Sequence, residues 1–299
     1  MVMVTSNFSQ LLAPGMNAII DQGFEEVEDI LDMFFIVEDS KRAYEEEMGI
    51  TGLGTFVQTG ELGATSYDDK YTRYLKRYTH LKYVLGIAVS REMMEDDLYN
   101  QIAKYSRDLG RSARETPQTL GFDIFNRAFN ASYTGADGKV LCATDHPKKP
   151  FGTWSNRPST SADISYTSLA QAKIDMRSWT NDRGLVYNSE PRVLLGGVAQ
   201  DQKFYELTKS EYNPEAVERV SNYIKSMNLQ YKTTPYISSA KAWFLLTAKQ
   251  YTYLKLFWKK RFATEFWDDH NQGAMRARGE FRVSVGWTEP WGIYGDDGI

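Results

Sequence analysis

Within five residues, Cys142, Asp145 and His146 supply a thiol, a carboxylate and an imidazole, the groups from which a nucleophile, an orienting acid and a base are built. Their crowding argues against that use. Catalytic cysteine and histidine usually converge from distant parts of a chain, and Pro147 biases His146 toward extended backbone. A structural turn is the expected role. Gly52 and Gly54 form a GxG without the third glycine of a dinucleotide loop, and Gly196–Gly197 lack the following GK[ST] of a phosphate loop. The acidic pairs Asp68–Asp69, Asp268–Asp269 and Asp296–Asp297 stand in turn-like contexts that favour capping or solvation. With one cysteine and only His80, His146 and His270, neither an internal disulfide nor a zinc cluster is expected. No catalytic residue, metal ligand or cofactor-binding residue is therefore assigned.

Charge is a stronger signal than chemistry. Residues 71–90 carry Arg73, Lys76, Arg77 and Lys82 with no acid, interleaved with Tyr74 and Tyr78. Residues 1–40 carry Asp21, Glu25, Glu26, Glu28, Asp29, Asp32, Glu38 and Asp39 with no lysine or arginine. Opposite charge on two separate segments suggests contact between copies of the chain: the acidic arm of one against the basic ribbon of another, setting register more than affinity. Trp154, in the polar stretch 148–163, is the candidate aromatic anchor for such contacts. The alternative for the ribbon 71–91 is a groove in which bases stack on tyrosines while cations follow the backbone. A net charge of −4 and the lack of an RNP-type motif count against it. A thiol hydrolase centred on Cys142 is the second alternative.

These segments are held by a legible order of elements. The residues Met94, Leu98, Ile102, Tyr105, Leu109, Ala113, Thr116, Leu120, Ile124 and Ala128 recur at steps of three and four, which predicts one long helix over 90–131. Ser90 is its N-cap, and Glu92, Glu95, Asp96 and Asp97 favour the positive end of its dipole. Unbroken, it would span roughly 60 Å, with a kink or break expected at Pro117 or Gly121. Upstream, the odd positions Thr79 to Val89 make the apolar face of a strand, whereas Tyr71 to Tyr78 suit strand or helix. Gly52, Gly54, Gly60 and Gly63 punctuate short β-prone pieces such as Thr55–Gln58, so a projecting hairpin is expected. Such a ribbon is marginal alone, and a neighbouring subunit would cover its edges.

Beyond the 148–163 loop or linker, Leu169, Ala172, Met176 and Trp179 mark a helix and PRVLLGG a buried strand. Asn213–Pro214 opens a further helix with Val217, Val220, Ile224 and Met227 inward. Strands follow at Ala242–Thr247, Thr252–Trp258 and Glu280–Trp287, the last of them returning beside the long helix. The fold class is α+β. At 299 residues with 42% hydrophobic content the chain buries a real core. Its apolar runs fall far short of the roughly 20 residues of a membrane helix, so no membrane partner is expected. With the first basic residue at Lys41, no secretory signal is expected either.

The order of an acidic arm, a glycine-punctuated ribbon, the helix opening SREMMEDDLYN, the string DGKVLCATDHP and the late PRVLLGG and AWFLLTA strands resembles the Mu-like major head subunit family. That resemblance implies the Hong Kong 97-type fold of tailed-bacteriophage capsid proteins. It implies an N-terminal arm over 1–50, an E-loop over 51–89 and a peripheral domain with the spine helix over 90–164. An axial domain follows over 165–250, and C-terminal strands over 251–299 return to the peripheral domain. The implied function is self-assembly into hexamers and pentamers of an icosahedral head around double-stranded DNA, with no catalysis. A separate scaffolding protein, a portal, a decoration protein and weak, sequence-blind contact with packaged DNA are the implied partners. The implied location is the virion, after synthesis in the host bacterial cytoplasm. Some relatives crosslink a lysine to an asparagine, for which Lys70 or Lys76 would be the donor here.

Overall fold

The computed structural model describes residues 6–90, 92–93, 96, 100–187, 189–269 and 274–298. Two four-stranded sheets organise it. The first has the order β1 (Ile36–Asp39), β10 (Leu254–Asp269), β11 (Ala274–Trp287), β4 (Leu81–Ser90). β1 runs parallel to β10; the other neighbours are antiparallel, and the β10–β11 pairing shifts register around Lys260. The second has the order β12 (Ile293–Asp296), β9 (Trp243–Leu246), β7 (Val193–Gly197), β8 (Gln230–Thr234).

The apolar run of β9 is explained by burial on both faces, the condition under which a strand loses its alternating pattern. Phe244 and Leu246 enter one core, while Trp243 and Leu245 enter another. β7 does the same with Leu195 and Leu194. The first core is closed by the long helix α3 (Gln101–Asn126) and by α2 (Leu31–Phe34), through Phe34, Phe122 and Phe125. The second is closed by α4 (Tyr166–Ser178), α5 (Asp201–Lys209) and α6 (Tyr223–Ser226), through Leu169, Phe204 and Ile224. The helix at Leu169 and the strands at PRVLLGG, AWFLLTA and Glu280–Trp287 stand where they are expected.

α3 is shorter than the expected 90–131. Ser90 does accept the Met93 N–H at 3.2 Å, as a cap would, but the helix proper starts only after Asn100, which sits at φ 54° in the left-handed region. Met94, Leu98, Glu95 and Asp97 lie outside the described residues. Pro117 is inside α3 and does not end it. The buried face is broader than the expected stripe: Leu109, Ala113 and Ile124 are buried as expected and Tyr105 is exposed, while Ser106, Gly110, Gly121 and Phe122 also face inward. Glycine stands at 110 because α1 (Ser6–Glu25) lies against α3 at backbone distance. A Cβ at Gly110 would come within 2.0 Å of the Ile20 carbonyl oxygen, and one at Gly23 within 2.2 Å of that of Arg107. Periodicity read from apolar residues alone passes over such positions.

The helix expected from Asn213 does not form. Residues 213–222 are turns and bridges, Val217 is fully exposed, and α6 begins only where the Asn222 side chain accepts the Ile224 and Lys225 N–H groups. The ambiguous Tyr71–Tyr78 stretch is strand β3 (Thr72–Thr79), paired antiparallel with β2 (Tyr44–Ile50). β4 is no part of this hairpin; it joins the first sheet. The projecting arm is therefore the β2–β3 hairpin with a loop at 51–71, and Thr55–Gln58 is loop.

Candidate assembly surfaces

The β2–β3 hairpin is held to the body from Arg73 to Tyr78, and the 51–71 loop beyond it is bare at its tip. Arg73, on β3, donates from Nε and Nη2 to the two oxygens of Asp182 at 2.6 and 2.7 Å, and from Nη1 to Glu289 at 2.7 Å. Burial alone would lower the Arg73 pKa, yet hydrogen bonding to Asp182 and the charges of both carboxylates outweigh it, and the net shift is upward. Glu289 moves up, because its desolvation exceeds the help it receives from Arg73. Tyr78, nearly fully buried, shares a 2.7 Å hydrogen bond with the Thr288 hydroxyl and sets its ring edge-on to Phe257. Tyr74 lies under the Lys149 ammonium at 4.4 Å. At the other end, Phe56 and Leu62 are as exposed as in an extended chain, and Tyr67 is 91% exposed.

The other ribbon cations are mostly matched within the chain. Arg77 pairs with Glu46 and lies over the Tyr44 ring, and Lys82 on β4 reaches Glu280 at 2.8 Å. Lys76 rests 5.2 Å from the centre of the Trp287 ring; among the described residues no carboxylate pairs with it.

Most acids of residues 1–40 also have partners within the chain. Glu26 faces Arg107 and Arg111, Asp29 faces Arg114, Glu28 faces Lys232, and Asp32, Glu38 and Asp39 face Lys249, Lys255 and Arg261. None of those cations belongs to residues 71–91. Glu25 ends α1 exposed to solvent. Because α1 is bound along α3, arginines on α3 meet Glu26 and Asp29, which follow α1.

Trp154 is not an external anchor. It is 8% exposed and stacked on Trp291, with centroids 3.7 Å apart and planes at 2°; Trp179 meets it edge-on and His146 covers it. The 148–163 stretch is loop apart from the short strand β6 (Thr153–Trp154), which pairs antiparallel with β5 (His146–Pro147), and it is no free linker, since Asn156 within it is fully buried. The Asn156 amide donates to the Leu141 carbonyl, and its oxygen accepts the Ala143 N–H.

The same contacts dispose of the Cys142, Asp145, His146 trio. Cys142 is wholly buried, and burial pushes its thiol up, the direction opposite to a nucleophile's needs. His146 sits between the Asp137 carboxylate at 2.7 Å and the Asn156 oxygen at 3.1 Å, and Asp145 pairs with Lys139. The trio braces a turn. Among the described residues no His, Cys, Asp and Glu group has the arrangement to hold a metal ion, and no helix is long and apolar enough to cross a membrane.

A family model described as phage capsid protein matches residues 74–295. Among solved structures, the capsid of bacteriophage JBD30 superposes with a TM-score of 0.60 at 12% identity, over 71% of this chain and 92% of that one. A virus-like particle from Pyrococcus furiosus gives 0.55 at 9% identity, over 94% and 97%. The capsid of Myoviridae phage XM1 gives 0.54 at 10% identity, over 90% and 91%. No curated relative matches the sequence.

Proposed function

The chain belongs to the phage capsid protein family, and from that premise we propose that copies of it join as hexamers and pentamers and close into an icosahedral head around double-stranded DNA. It is a major capsid protein with a fold of the Hong Kong 97 type, a structural protein rather than an enzyme, and its place is the virion capsid. The nucleic-acid groove and thiol hydrolase readings are set aside.

The observation that carries the proposal is the arm. A hairpin held to the body by a buried arginine ends in a loop, 51–71, whose Phe56 and Leu62 side chains meet only solvent within the chain. A monomer gains nothing by presenting Phe56 and Leu62 in this way, because exposed apolar area costs on the order of 25 cal/mol per Å². In a shell, neighbours cover it. Heterologous contacts that close on themselves then repeat around rings.

Within the family we assign the chain to the Mu-like group, on the ordered motifs of its sequence. Residues 1–50 serve as the N-terminal arm, 51–89 as the E-loop with its hairpin rooted from Tyr44, 90–164 and 251–299 as the peripheral domain, and 165–250 as the axial domain. The JBD30 relatives include a procapsid and a capsid decorated with minor capsid protein trimers. By analogy, this chain assembles in the host cytoplasm with a separate scaffold and a portal and accepts a decoration protein.

Electron microscopy of the chain expressed alone and with candidate scaffold tests the reading. Closed shells of regular size are expected; a stable monomer under both conditions would refute it.

A further inference from the structure

The tip of the arm is a turn of unusual content. Gly63 N–H donates to the Gly60 carbonyl at 3.0 Å, closing Gly60–Gly63, and Leu62 occupies the position with φ 65°. Turns reserve that position for glycine or asparagine, since a side-chain-bearing residue there is strained. Here it thrusts a leucine into solvent, beside the exposed carboxylate of Glu61. The turn thus presents one acid and one aliphatic group together.

A groove of about 390 Å³ with the complementary chemistry lies between α3, the Lys76–Thr79 end of β3 and the start of β4. Ile124, Val283 and Val285 make its floor, and Tyr133 and Thr134 stand exposed at its edge. On its rim, Arg127 is bonded to Asp123, while Lys76 has only the Trp287 ring. Burial lowers the Lys76 pKa, with the charge of Asp137 opposing only in part, so the ammonium is under-compensated. An incoming carboxylate would supply what it lacks.

We propose that the Glu61–Leu62 turn of one copy seats in this groove of a second copy, with Leu62 on the apolar floor and Glu61 against Lys76. The proposal rests on the shell-forming reading above. A chain does not fill its own groove: Gly54 N–H bonds Asp68 at 2.7 Å and Arg183 holds Asp68, fixing the neck of the loop at the Thr72 end of β3. The groove lies at the opposite end, along Lys76 to Thr79. The partner that carries this turn in a repeating lattice is another copy.

Oxidising shells of the L62C/T134C double variant tests the seat, because the only other thiol, Cys142, is buried. A ladder of covalent multiples of the 34.3 kDa chain on a non-reducing gel is expected. Normal shells that release only monomer would overturn the seat while leaving the shell reading intact; failure of the unmodified chain to form shells would overturn the reading itself. Should the double variant not assemble, charge exchange decides. E61K and K76E each lower shell yield about tenfold or more, and together they return it to within about twofold of the unmodified chain. Absence of that rescue would overturn the pairing and give the groove to a different segment or protein.

Discussion

Arg73 and Asp182 meet in a two-pronged bond at 2.6 and 2.7 Å, with side chains 9% and 3% exposed. The pair joins the loop end of β3 to the turn ahead of β7, 109 residues away in sequence. Removing one partner of such a buried pair strands the other charge. Arg73→Met is expected to lower unfolding free energy by about 3–5 kcal/mol in urea titration. Arg73→Lys should recover little, since an ammonium cannot match both carboxylate oxygens and Glu289 at once.

Gly110→Ala places a methyl 2.0 Å from a backbone oxygen of α1, which no rotamer change relieves. The helices must part. About 1–3 kcal/mol of destabilisation is expected, together with faster proteolytic cleavage within α1 than within β10 or β11. Equal cleavage rates in variant and parent would contradict the close approach.

Glu280 ties three strands of the first sheet, bonding Lys260 on β10 and Lys82 on β4. Hydrogen bonds from Lys260 and then Lys82 hold its carboxyl at about 2, against an opposing desolvation. A depressed folded pKa gives stability that is present above the ordinary carboxylate value of about 4.3 and is lost as pH falls through about 2. Glu280→Gln should therefore lower Tm at pH 7, and the gap from the parent should close between pH ~4 and ~2. A gap independent of pH would exclude this role.

Cys142 should not react with a thiol reagent until denaturant is added, and Cys142→Ala should leave shell formation unchanged. Rapid labelling of the native subunit would contradict its burial.

Much of the core was legible because its cause is local. The runs at β7 and β9 and the helix at Leu169 carry their burial in their own residue types. What sequence hid depends on contacts distant along the chain. Trp154 sits in a polar stretch, and only Trp179 and Trp291, brought from elsewhere, make it core. The acids after α1 read as an unpaired patch because their partners are spread over α3, β8 and β10. Asn100 broke the long apolar stripe through its backbone angle, which side-chain periodicity does not register. Lys76 differs from Arg73, Arg77 and Lys82 only through the carboxylates that the fold brings to those three.

The most direct test compares the full chain with a deletion of residues 55–67, which the Gly54–Asp68 contact allows to be bridged at the neck. Sedimentation velocity under assembly conditions, with circular dichroism as a control for folding, should show shells from the full chain. The deletion should give folded subunits or small oligomers of unchanged Tm. Closed shells from the deletion, in yields like the parent's, would contradict the claim that this chain is completed by its neighbours through the arm.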